Sequence, residues 1–117
     1  MTGARGRTEN AARRALAAMH CVPGAPKLSD GERADRLACL PGWAHNGNRI
    51  EKAFRFADYH QTIAFVNAVA TIAHREDHHP DLSVHYDRCV VVWSTHSAGG
   101  VTLNDCICAA KLEAFDA

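Results

Sequence analysis

The chain has 117 residues, 47% of them apolar and 22% charged, which fits one folded domain and excludes a disordered chain. Thirteen basic side chains balance thirteen acidic ones, for a formal net charge of zero, so the basic excess of a nucleic-acid or anionic-membrane binder is absent. No apolar run approaches the roughly 20 residues of a membrane span, and five cysteines (Cys21, Cys39, Cys89, Cys106, Cys108) without a CxxC pair read as reduced thiols of an intracellular protein.

Residues 1–26 are expected to form a flexible or weakly helical tail. Arg5, Arg7, Arg13 and Arg14 stand there against Glu9, an Arg-rich start compatible with organelle targeting but lacking the usual serines. A weak alanine-rich helix is expected around Ala11–Met19. Pro23-Gly24-Ala25-Pro26 breaks it, so the folded domain is placed at 27–117.

Ser29 and Glu32 have the capping-box spacing, in which hydroxyl and carboxylate each accept from a backbone N–H. Leu37 and Leu40 then face the core of a short helix that Pro41-Gly42 ends. Trp43-Ala44-His45 reads as a strand, Asn46-Gly47 as a type I′ turn with both central residues at positive φ, and Asn48–Phe56 as the return strand. Ile50, Lys52, Phe54 and Phe56 share one side of that strand; Glu51, Ala53 and Arg55 share the other. Lys52 breaks the apolar pattern, as an edge position or a snorkelling stem would tolerate.

Asp58 and Gln61 open a long helix, Tyr59–Asp77, whose apolar stripe is Ile63, Val66, Ala70 and Ala73, widened by Phe65, Val69 and Ile72. Pro80 stops it. Strands at Leu82–Tyr86 and Cys89–His96 flank a turn at Asp87-Arg88. A loop, Ser97–Gly100, leads to a third capping box at Thr102 and Asp105. The helix it opens runs to about Phe115, with Leu103, Ile107, Ala110 and Ala114 on one face. Short connections favour antiparallel neighbours. The fold class is therefore α+β, a four-stranded antiparallel sheet with helices packed on one face. A core of this size is marginal, so oligomerisation would support it.

The chemistry gathers in the imidazoles. His78 and His79 stand before Pro80 at the end of the long helix, and His96 where the last strand meets a glycine loop. Histidine titrates near neutrality and can give or take a proton at cellular pH. His74 and His78, four apart on a helix, have a spacing that zinc ligands use. However, Arg75 stands where a zincin has glutamate, and no cysteine pair completes a set, so no metal is expected. Asp105 is accounted for by capping alone, and Trp43 and Trp93 by a core or interface.

His74-x3-His78-His79-Pro80, then Tyr86, His96 and Asp105, resembles the signature of the pterin-4a-carbinolamine dehydratases. Pro41-Gly42-Trp43, Ile50, Phe54-Arg55-Phe56, Thr95 through Gly100 and Thr102 through Lys111 fit as well, so the resemblance spans about residues 28–115. It implies a 4a-hydroxytetrahydrobiopterin dehydratase, which removes water from 4a-hydroxytetrahydropterin to give quinonoid dihydropterin in tetrahydropterin recycling. It also implies a homodimer or homotetramer with a pterin substrate, no metal and no bound cofactor; a cytoplasmic location and no direct nucleic-acid or membrane partner are expected from the cysteines, the charge balance and the lack of a long apolar run.

By the same resemblance His78 and His96 are the acid–base pair, and His79 binds and orients the pterin. Pro80 fixes the turn, and Asp105 orients an imidazole or contacts substrate. Two positions depart from the pattern: His74, among the substrate-binding positions, stands where many members have glutamate, and Asn104 replaces a basic residue seen in some. The alternative that the resemblance carries is a non-enzymatic dimerisation cofactor or assembly factor of the same fold, with a protein partner.

Overall fold

The computed structural model describes residues 4–116. Residues 1–3 of the expected tail and residue 117 of the expected domain lie outside the described residues. Four helices, α1 (Ala4–Ala17), α2 (Asp30–Leu37), α3 (Tyr59–Glu76) and α4 (Leu103–Asp116), accompany four strands, β1 (Ala44–Asn46), β2 (Arg49–Arg55), β3 (Asp81–Val84) and β4 (Arg88–Ser94). The strands form one antiparallel sheet in the order β1-β2-β4-β3, the α+β class read from sequence.

Strand alternation decides where the core lies. Ile50 and Phe54 of β2 pair with Trp93 and Cys89 of β4, and all four side chains are buried on one face. Helices α3 and α4 cover that face. Phe65 of α3 sits 4.6 Å from the Phe54 ring and 5.1 Å from that of Phe56, spacings at which aromatic pairs attract beyond their burial. This contact turns α3: its buried stripe is Thr62, Phe65, Val69 and Ala73, whereas Ile63 is half-buried and Ala70 exposed. The stripe expected on Ile63 and Ala70 is thus displaced toward the ring that the sheet can best receive.

Lys52 stands on the same face between Ile50 and Phe54, and the helix above it supplies the answer. Its Nζ donates to Glu113 Oε2 at 2.7 Å and to the Pro41 carbonyl at 2.9 Å, and lies 4.9 Å from the Phe54 ring centre. Trp43 Nε1 donates to the same Glu113 oxygen at 3.0 Å. The cation is tied to α4 rather than snorkelling to water.

Local turns follow their chemistry with three corrections. The Ser29–Glu32 capping box forms in both directions. In the hairpin, Asn46 pairs with Arg49, so Gly47 and Asn48 are the central residues; Gly47 alone has positive φ, 63°, the glycine-first pattern rather than type I′. Helix α3 ends at Glu76 through Asp77 at φ 49°, before Pro80 acts. Strands β3 and β4 end earlier than expected, and His96 opens a 3₁₀ turn, His96–Ala98, instead of closing a strand.

The N-terminal segment differs most from its expectation. Helix α1 is a 14-residue helix packed against α4, and Leu16 is 1% exposed within the core. Lys111 of α4 donates to the Ala17 carbonyl at 2.7 Å, satisfying an orphan acceptor at the end of α1. Arg13 reaches the Cys39 carbonyl at 3.2 Å. Alanine-rich sequence alone gives no sign of this docking, because only one turn-end leucine carries it. Replacing Leu16 with alanine should cost about 2–5 kcal/mol in urea unfolding, the range for a buried leucine. A loose tail would give no measurable change.

Candidate active site at the end of the sheet

The site begins with how α3 stops. The His78 N–H donates to the Ala73 carbonyl at 3.1 Å and that of Asp77 to the His74 carbonyl at 3.4 Å, the paired bonds of a Schellman ending. Asp77 takes the left-handed position usually held by glycine, at a cost of about 1–2 kcal/mol for a side-chain-bearing residue. The turn sends His78 off the helix axis and across to α4.

There His78 Nε2 donates to Asp105 Oδ1 at 2.6 Å. Asp105 is 0% exposed, yet its carboxylate is well supplied: Oδ2 accepts from the Thr102 N–H at 2.9 Å and the Thr95 hydroxyl at 2.8 Å. The Thr95 hydroxyl, having donated its proton, accepts from that of Thr102 at 2.9 Å. Half of the expected capping box is therefore present, with the Thr102 hydroxyl diverted to Thr95. The His78 ring also stacks on Trp93, 5.5 Å between centres and 9° from parallel. An ionised carboxylate only accepts, so Nε2 carries hydrogen and Nδ1 is left for another partner. With its side chain 13% exposed, His78 is held in plane and tilt.

His96 is exposed and begins the 3₁₀ turn, which Gly99 closes at φ 74° by donating to the His96 carbonyl at 3.0 Å. It lines a cleft of about 370 Å³ with the hairpin residues Asn46–Arg49 and with Asp81, Val92 and Ser94. His78 lines a different cleft, of about 530 Å³, with Arg75, Thr95, Ser97 and residues 21–25. The two imidazoles are linked through the chain: His96 follows Thr95, whose hydroxyl rests on the carboxylate that holds His78. His79 is exposed and Pro80 half-buried, on the short link to β3, whose first residue Asp81 pairs with Val92. His74 is exposed on α3 and lines neither cleft. Among the described residues, no group of three histidine, cysteine or acidic side chains is placed to hold a metal.

One wall of the His78 cleft comes from the segment between α1 and α2. Asn104 clamps the backbone of Val22 from both sides, accepting from its N–H at 3.0 Å and donating to its carbonyl at 2.8 Å. Glu76, its side chain 6% exposed, accepts from the Cys21 N–H at 2.7 Å and from His20 Nδ1 at 3.0 Å, with Lys111 Nζ 3.7 Å away. Burial alone would raise the Glu76 carboxyl above its ordinary value. The Cys21 N–H, His20 and Lys111 outweigh it and hold the group lower. Sequence reading treats Asn104 as a departure from a family pattern and Thr95 as part of a matching stretch, and gives neither these two nor Glu76 a structural partner. Their partners lie 82, 10 and 55 residues away, beyond any local spacing rule.

Residues 26–115 match the sequence profile of the pterin 4 alpha carbinolamine dehydratase family. A Chromobacterium violaceum protein with the provisional name pterin-4-alpha-carbinolamine dehydratase is 55% identical over 102 residues, covering 86% of this chain and 94% of its own. A Xanthomonas campestris pv. campestris (strain B100) protein of the same provisional name is 58% identical over 97 residues, covering 79% and 82%. The crystal structure of a Brucella melitensis protein described as a transcriptional coactivator/pterin dehydratase superposes with TM-score 0.74 at 32% identity, covering 78% of this chain and 99% of that one. A pterin dehydratase-like RuBisCO assembly factor of the alpha-carboxysome shares the fold, with TM-score 0.51 at 22% identity over 62% and 83% of the chains.

Two measurements test this architecture. Thr95→Val removes the hydroxyl that bridges Asp105 and Thr102, and should cost about 1–3 kcal/mol in chemical denaturation, the penalty for a buried acceptor losing its donor. For Glu76 the folded carboxyl lies below the ordinary value of 4.5. Its contribution is therefore complete above that value and is lost as pH falls through the folded one. Glu76→Gln should lower the unfolding midpoint at neutral pH, and the gap to wild type should shrink on acidification below the ordinary value of 4.5. A constant gap would contradict the assignment.

Proposed function

This chain belongs to the pterin 4 alpha carbinolamine dehydratase family, and we propose that it removes water from 4a-hydroxytetrahydropterin to give quinonoid dihydropterin. The observation that carries the reading is the His78–Asp105 pair: an imidazole locked by a buried carboxylate and a stacked indole, with one ring nitrogen left over. A positioned side chain that can give or take a proton is what this dehydration requires.

In the proposed reaction the 4a-hydroxyl leaves as water once protonated, and the N5 proton departs to a base. His78, whose Nε2 is committed to Asp105, takes that proton on Nδ1 as the base. Asp105 balances the charge that arises on the ring, the division of labour seen in carboxylate–histidine pairs of other enzymes. His96, exposed on the turn after Thr95, delivers the proton to the hydroxyl, a role that requires the pterin to reach both clefts. His79 orients the pterin, Pro80 sets the direction of that segment, and His74 contacts substrate at its margin. The protein acts as a cytoplasmic homodimer or homotetramer in tetrahydropterin recycling. No helix among the described residues is long and apolar enough to cross a membrane.

The test is the rate of 4a-hydroxytetrahydropterin dehydration at neutral pH with wild type, His78→Ala and His96→Ala. Wild type should accelerate the reaction, and each variant should lose roughly 100-fold or more, the scale of a missing acid or base. Near-normal turnover in both variants would overturn the histidine assignment. A folded wild type without activity would overturn the dehydratase reading and turn attention to protein partners.

A further inference from the structure

We propose that Cys21 is a thiol–disulfide exchange site, which takes a low-molecular-weight disulfide such as oxidised glutathione and passes the exchange to Cys108. The geometry that points to it is a sulfur pair formed by residues far apart in the chain. Cys21 Sγ lies 3.6 Å from Cys108 Sγ across a separation of 87 residues. Sulfurs must approach to about 2.05 Å to bond, so closure needs a shift of about 1.5 Å. Cys21 lies in the irregular segment between α1 and α2, whose backbone Glu76 and Asn104 hold, so the shift falls to the two side chains.

Access separates the two sulfurs. Cys21 is the one cysteine among the described residues that is not buried, and it lines the same cleft as His78. Cys108 is fully buried in α4. The contact with Cys21, reinforced by burial, raises the Cys108 thiol far above its ordinary value, so Cys108 reacts second, giving up its proton only as its sulfur attacks Cys21.

The exchange balances without any other oxidant. The Cys21 thiolate attacks one sulfur of the small disulfide, whose S–S bond breaks. The departing thiolate takes up the proton that Cys21 released. Cys108 sulfur then attacks Cys21 Sγ and breaks the mixed disulfide, and the second small thiol leaves with the Cys108 proton. Two protein thiols lose two electrons and the small disulfide becomes two thiols. The product ties one wall of the cleft to α4. This inference does not rest on the dehydratase reading.

The test uses the full-length protein incubated with oxidised glutathione at about pH 8, then unfolded in denaturant, alkylated and mapped by peptide mass. Wild type should keep three of its five cysteines alkylatable and yield one cross-linked peptide pair, Cys21 with Cys108. Its thermal midpoint should rise, and dithiothreitol should restore it. Cys21→Ser should form no cross-link and show no midpoint shift. Five alkylatable cysteines in treated wild type, a stable glutathione adduct on Cys21, or a cross-link through Cys39, Cys89 or Cys106 would each overturn the proposal.

Discussion

One buried carboxylate sets the geometry on which the end of the sheet depends. Asp105 has no access to water, and a bare carboxylate in that position would be very costly. Its oxygens accept from three elements: the turn after α3 through His78, the end of β4 through Thr95, and the start of α4 through Thr102. Each donor lowers the cost of burying the charge, and the charge in turn fixes each donor's position. The histidine, the last strand and the final helix are thereby registered to one another within hydrogen-bond distance. A histidine held this way needs little reorganisation to act, which is the usual reason active sites place the orienting carboxylate behind the ring rather than in the cleft.

The same economy governs the N-terminal segment. It contributes one leucine to the core cluster, with Ala17 and Cys21 packed against it, and polar contacts add to this docking: Glu76, Asn104 and Lys111 satisfy backbone groups of residues 17, 21 and 22. Backbone amides so engaged cannot leave without becoming unpaired, so the wall of the His78 cleft is held by main-chain contacts that depend little on which side chains the segment carries. That explains how a segment ahead of the family match at residue 26 can still shape the cleft.

The sequence was most legible where one local rule acts alone. Alternation along β2 and β4, the Ser29–Glu32 capping box and the long helix before His78-His79-Pro80 all arise from short-range spacing. It was least legible where distant groups choose among local options. The register of α3 follows the Phe65 contact with Phe54 and Phe56, not the symmetry of its own apolar stripe. The helix stops at Asp77 because a left-handed residue there lets His78 turn toward Asp105, whereas proline had been the obvious terminator. The histidines were visible as residue types. The placement of His78 and His96 on separate clefts, joined through Thr95, was not, because it depends on a 3₁₀ turn that glycine patterns do not specify.

The Lys52–Glu113 pair has a consequence for how this sequence can drift. The side chains are 19% and 10% exposed, so replacing either by a neutral residue strands the other's charge against the apolar face. Breaking such a pair typically costs about 3–5 kcal/mol, while exchanging both partners for well-packed apolar residues can be neutral or better. Single-step substitutional paths through either position are therefore steep, and the level route runs through the double change. Among descendants of this sequence, positions 52 and 113 should be inherited as a unit, charged together or apolar together, although 61 residues separate them.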